Sequence, residues 1–232
     1  MPEVIAVGPL RLDSVLLAAL IAGAAGFIAI KLKLTGTERS ELWGQLYVNA
    51  AIITLLSWKL LFLLREPSML WERPSSLVIV RGSGFDAMNG FAASIVYIAY
   101  VRYRRRIPSL VMLDTWPFAL IPACLAWTLL TDLRYGIGYV VLYALVYAAM
   151  LRVDAEAGSG RLASIALLGS GLGGLLVSLF APYAPGVVPE LTLGLTRLQW
   201  LFVGCGLVGA LLPLSEPARD KDEHKEKESR TY

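Results

Sequence analysis

Few residues in the apolar stretches of this chain can carry a charge, and those few define the chemistry open to it. Lys59 interrupts TLLSWKLLFLL, Asp114 sits in SLVMLDTWPFALIP, Arg81 and Asp86 belong to the decamer RGSGFDAMNG, and Arg134 follows LLTDL. An ionisable group in a membrane-length apolar segment is expensive and by default marks a functional site or a buried partner. Lys59, Arg81 and Arg134 together describe an electropositive pocket of the kind an anionic headgroup needs, with Asn89 adding an amide. Asp86, Asp114 and Arg134 are the candidates for catalytic work, the two acids as bases. Each charge also has a plain reading. The stem of Lys59 can snorkel to the interface, and Asp114 lies about one turn from a boundary, within reach of water.

Other chemistries are excluded by residue type. The only histidine is His224, in the charged C-terminal tail. No His ligand or base is therefore available among the apolar segments, which removes HExxH zinc sites and His-based triads. Cys124 and Cys205 lie inside apolar runs and read as buried free thiols. The sequence implies no metal and no cofactor. The net charge of +3 comes from residues in short loops and the tail, so it argues for topology and not for a nucleic-acid partner.

The elements that must position these residues are membrane helices. The 232 residues are 56% hydrophobic and 17% charged, with a mean hydropathy of +0.62. A soluble domain carries about 25% charged residues. The apolar residues fall in blocks long enough to cross a ~30 Å hydrocarbon core as helices. Seven spans are predicted, near 14–31, 42–64, 85–101, 109–130, 135–151, 162–181 and 197–214. The expected fold is an all-α integral membrane domain over 1–214, followed by a solvated, charged tail over 215–232 without a fixed fold. The third span is short and the fourth carries Pro117 and Pro122, which suits helices packed in protein. Of the 21 Lys and Arg, fourteen fall on one side of such a chain and six on the other. The positive-inside rule then places the N-terminus outside and the tail in the cytoplasm, with RYRRR (102–106) as the strongest vote. RYRRR also reads as an anchor against anionic headgroups. The first apolar run lacks a basic leader, so no cleavable signal peptide is expected.

Small residues pattern GSGLGG (169–174) and GCGLVGA (204–210), as close helix packing requires. The decamer is a sharper signal. It follows PSSLVIV (74–80), too short to span, and its glycines permit positive φ and close backbone approach. A short re-entrant segment lining a cavity is expected there, since irregular backbone at membrane depth needs protein or a cavity around it.

The order of these features resembles the prolipoprotein diacylglyceryl transferase family along most of the chain. VGPLRL (7–12) is similar to the family's N-terminal Gly-Pro segment, and Glu41 to Leu64 resembles its second span. PSSLVIVRGSGFDAMNG is similar to its Trp-x-Gly-Gly-Met-Ser-x-His-Gly-Gly dip. Asp114 and the Pro-containing fourth span match in place, and Gln199-Trp200 resembles the start of its last span. The resemblance implies seven spans around a cavity in the bacterial plasma membrane that takes phosphatidylglycerol. It also implies transfer of that lipid's diacylglyceryl group to the cysteine of a lipoprotein precursor, as a thioether. Such transfer requires a cation on the phosphate leaving group and a group that helps the thiol attack.

The family's reactive positions are filled differently here. Met88 stands where the dip has His, Thr128 near the motif Arg, Gly174 near the late-span Arg, and Val15 at an N-terminal Tyr. Arg134 stands about six residues beyond the motif position. The insert before the fifth span is almost absent. Losing preorganised charge stabilisation costs several kcal/mol of barrier, so a degenerate transferase is expected. The competing expectation is a non-catalytic membrane protein of the cell envelope that binds phospholipid or another membrane protein. A small transporter lacks an internal repeat and a charge relay.

Overall fold

The computed structural model describes residues 4–7, 10–36, 40–64, 67–68, 71, 82–131, 133–155, 157–180 and 190–212. They form two compact units, Met1–Ile107 and Pro108–Tyr232. Residues 74–81, which carry half of the expected dip, and the tail 215–232 lie outside the described residues.

The first unit opens with the antiparallel hairpin β1 (Val4–Val7) and β2 (Leu10–Asp13), in which Val4 pairs with Asp13. Three helices follow: α1 (Ser14–Lys33), α2 (Ser40–Leu60), which runs on into a 3-10 turn at Leu61–Leu64, and α3 (Gly84–Arg105). Small residues set the contact of α1 with α2. Ala18, Ala22 and Ala29 are buried, and the Tyr47 hydroxyl donates to the Gly23 carbonyl at 3.0 Å.

The second unit holds α4 (Ser109–Thr115), α5 (Pro117–Thr131), α6 (Leu133–Arg152) and α7 (Arg161–Phe180). A tight hairpin, β3 (Leu191–Thr192) and β4 (Leu195–Thr196), leads into α8 (Arg197–Leu211). Leu193 and Gly194, with φ of 52° and 81°, make its turn. The expected fourth span is thus two helices meeting at Trp116. Pro117 has no N–H to give and opens the second of them at no loss. Phe118, Ile121, Val146, Met150, Leu162 and Ala166 form the core of this unit.

Four segments are long and apolar enough to cross a membrane: Ser14–Lys33, Ser40–Leu64, Ser109–Thr131 and Arg161–Phe180. Gly136–Arg152 and Arg197–Leu211 are shorter apolar helices. The helices also turn large apolar side chains outward, among them Val96, Leu145, Leu172 and Leu176. Water penalises such a surface and lipid does not. The chain is a mostly helical, multi-pass membrane protein.

Two expectations are corrected. Residues 84–90 are not irregular backbone but the first two turns of α3, which makes the third apolar element 22 residues long. The physical reason is a capping box: Ser83 accepts from the Asp86 N–H, and Asp86 takes the Ser83 N–H in return, so a helix starts where the composition resembles a loop. Cys124 is free as expected but exposed on its unit, and only Cys205 is partly covered.

Candidate functional site

The decamer is positioned by the pairing of α2 with α3, which run antiparallel. Their contact is a polar seam. Asn49 donates to the Tyr97 hydroxyl at 2.8 Å, and the Thr54 and Ser94 hydroxyls meet at 2.7 Å. Ser94 also donates to the Ala50 carbonyl at 2.7 Å, and the Trp58 indole N–H donates to the Gly82 carbonyl at 3.0 Å. Each buried hydroxyl therefore has a partner, as a low-dielectric site requires.

Gly82 and Gly90 serve this approach and not a positive φ, which among described glycines occurs only at 36, 158, 160 and 194. A Cβ on Gly90 would lie 2.7 Å from the Thr54 carbonyl oxygen and 2.8 Å from Ser57 Cβ. A Cβ on Gly82 would run into the Trp58 carbonyl oxygen.

Asp86 is wholly buried at this end of the seam. Its Oδ2 accepts the Ser83 N–H at 2.8 Å and the Ser83 hydroxyl at 2.9 Å. Lys59 stands in the last turn of α2, next to Trp58 and half-buried, and Asn89 is half-buried in the second turn of α3. Lys59, Asp86 and Asn89 thus share one helix pair. Arg81, the fourth candidate from this region, lies outside the described residues. Arg134 falls in the first turn of α6, in the second unit, and its side chain lies outside the described residues.

Asp114 has a role that the sequence did not announce. Its side chain is wholly buried, and both oxygens face the N-terminus of α7. Oδ2 accepts the N–H groups of Gly158 and Gly160, each at 2.8 Å, and Oδ1 accepts that of Ala163 at 2.9 Å. The first N–H groups of a helix have no partner within it, and a carboxylate there meets both the orphan donors and the helix dipole. Gly158 and Gly160, at φ of 104° and 77°, let the backbone turn two alternate donors onto one oxygen. The GSG at 158–160, directly before an apolar run, was the one local signal.

A second polar relay lies where α7 meets α8. Gln199, 6% exposed, closes a capping box with Thr196. It also donates to the Ser178 hydroxyl at 3.2 Å, which in turn donates to the Leu175 carbonyl at 2.7 Å. Among the described residues no group of His, Cys, Asp and Glu could hold a metal ion.

No family model, no curated protein and no solved structure matches the chain.

Proposed function

We propose that this chain is a phospholipid-binding protein of the bacterial plasma membrane, similar in plan to prolipoprotein diacylglyceryl transferases but holding an anionic lipid without turning it over. One observation carries the preference for binding over turnover: both carboxylates that qualified as a base are occupied as helix caps. Asp114 accepts three backbone N–H groups, and Asp86 accepts two donors from Ser83. Oxygens filled by such donors are turned toward the backbone and the cap, and not toward a bound substrate. No histidine is present to take its place among the apolar segments.

In this reading the apolar segments make seven crossings: α1, α2, α3, α4 with α5, α6, α7 and α8. The N-terminus lies outside and the tail in the cytoplasm. Phosphatidylglycerol is the lipid, and Lys59 and Asn89, which share the α2–α3 pair, are its headgroup contacts, with Arg81 as the further cation of that unit. A lipoprotein precursor or another membrane protein is the partner.

The test uses purified protein, phosphatidylglycerol labelled in its diacylglyceryl group, and a peptide carrying a lipobox cysteine. The expected result is phosphatidylglycerol retained through purification, with no label on the peptide. Label transferred to the cysteine, and lost in Arg134→Ala, would replace this reading with a divergent transferase using a relocated arginine.

A further inference from the structure

The other end of the α2–α3 seam holds a feature that the headgroup candidates do not use. A hollow of about 500 Å³ opens between the N-terminal half of α2 and the C-terminal end of α3. That is within the range of about 300–1,000 Å³ that small-molecule sites occupy. Its polar lining consists of Gln45, Asn49, Tyr97, Arg104 and Arg105. Every charge in that lining is positive, and every polar side chain in it can donate.

The donors are graded along the hollow. Arg104 and Arg105 stand at the mouth, in the last turn of α3. Arg104 is braced by donating to the Tyr100 hydroxyl at 2.9 Å. Among the described residues neither arginine has a carboxylate partner, so the two like charges at the mouth are uncompensated. Tyr97 lies eight residues back along α3, about 12 Å at the helical rise, and it is tied to Asn49. Gln45 sits one turn from Asn49 on α2. Leu42, Leu46 and Val101 supply the apolar part of the wall.

A cationic mouth with neutral donors about two turns deeper has the polarity profile of a glycerophospholipid at an interface. There the phosphate lies outermost, the ester carbonyls lie deeper, and the acyl chains follow. We propose that this hollow is a binding site for an anionic glycerophospholipid, with the phosphate on Arg104 and Arg105 and the ester carbonyls at Gln45, Asn49 and Tyr97. Asn49 keeps a second N–H and Tyr97 its hydroxyl proton for such carbonyls. The site rests on the membrane setting and on the first unit alone, and does not depend on the reading of the Lys59 end. A soluble phosphate ester would satisfy the arginines equally well but would leave the deeper donors unused.

The experiment measures binding of short-chain phosphatidylglycerol, short-chain phosphatidylcholine and inorganic phosphate to the full-length protein in a neutral detergent. Wild type is expected to prefer phosphatidylglycerol to phosphatidylcholine by about tenfold, because the choline cation of the latter is repelled by the two arginines that hold the phosphate. R104Q/R105Q is expected to reduce that preference several-fold, leaving only what the Lys59 end contributes. R102Q/R106Q removes the same charge from residues outside the lining and is expected to retain it. Asn49→Leu, at an exposed position, should weaken lipid binding several-fold and leave phosphate binding unchanged. Equal losses in the two arginine pairs would show a diffuse basic patch and overturn the site. Phosphate binding as tight as lipid binding, with Asn49→Leu inert, would overturn the lipid and leave a soluble anion. Loss of the preference in Lys59→Gln, with R104Q/R105Q retaining it in full, would place the lipid at the other end of the seam and overturn the hollow.

Discussion

Asp114 shows how a single residue can have its chemistry reassigned by partners far away in sequence. Read locally, it is an acid one turn inside an apolar run, a description that fits a catalytic base as well as a structural cap. Its partners lie 44, 46 and 49 residues further on, and no local pattern announces such a distance. Removing it should therefore act on folding. Hydrogen bonds to a charged group contribute about 1.5–3 kcal/mol each, and an unsatisfied buried donor costs about as much. Asp114→Ala is expected to lose about 3 kcal/mol or more of stability, seen as a large drop in Tm in detergent. Asp114→Asn keeps one acceptor oxygen but turns an NH2 toward backbone donors, so it should fall between the two. A Tm unchanged in Asp114→Ala, with loss of any lipid-dependent activity, would instead return Asp114 to the catalytic candidates.

At the scale of elements, glycine decides which helices can touch. Along the contact of α7 with α8, a Cβ on Gly171 would strike the Gly206 backbone and lie 2.8 Å from the Phe202 carbonyl oxygen. A Cβ on Gly206 meets nothing nearer than 3.9 Å. Alanine is favoured over glycine in a helix by about 1 kcal/mol, so the two substitutions should have opposite signs. Gly171→Ala is expected to lower Tm by forcing two backbones apart, and Gly206→Ala to leave it level or raise it. Equal effects from the two in a thermal melt would mean that the helices meet through another face. The sequence made this seam legible as a pattern of small residues, but not which glycine bears the contact, because that depends on the rotation of each helix. The run of apolar residues likewise located the described helices to within a few positions. It failed at 81–90, where Gly, Asp and Asn lower the hydropathy although Ser83 and Asp86 form a helix start. The Ser-x-x-Asp spacing was the signal there, and it was outweighed by composition. In the hollow at the other end, Gln45 and Asn49 stand at i and i+4 in a mostly apolar helix. That spacing puts both on one face, yet neither is charged, so the pattern of ionisable residues does not single them out.

For the whole molecule, the proposed seven crossings make a prediction that the helix lengths alone do not. Only four segments reach membrane-spanning length and apolarity, so the odd number, and with it the opposite placement of the two ends, depends on α3, α6 and α8 also crossing. With all seven crossing, fourteen Lys and Arg fall on the side of the tail; with only the four long segments crossing, fourteen again fall on one side, but that side then holds both ends, and the two arrangements place the ends of α7 oppositely. Two exposed positions on either side of α7 report on it. Ala157 lies in the loop before α7, and Leu193, 88% exposed, stands at the tip of the β3–β4 hairpin after it. With Cys124 and Cys205 replaced by Ser, Leu193→Cys should react with a membrane-impermeant maleimide added to intact cells. Ala157→Cys should react only after the membrane is opened. The hairpin would then face outward and RYRRR inward, placing the hollow between α2 and α3 in the leaflet where anionic lipid meets the cytoplasm. The reverse labelling would end the seven-crossing arrangement in favour of the four long segments, with both ends of the chain in the cytoplasm. Labelling of both positions from one side would remove α7 as a crossing and end the seven-helix arrangement.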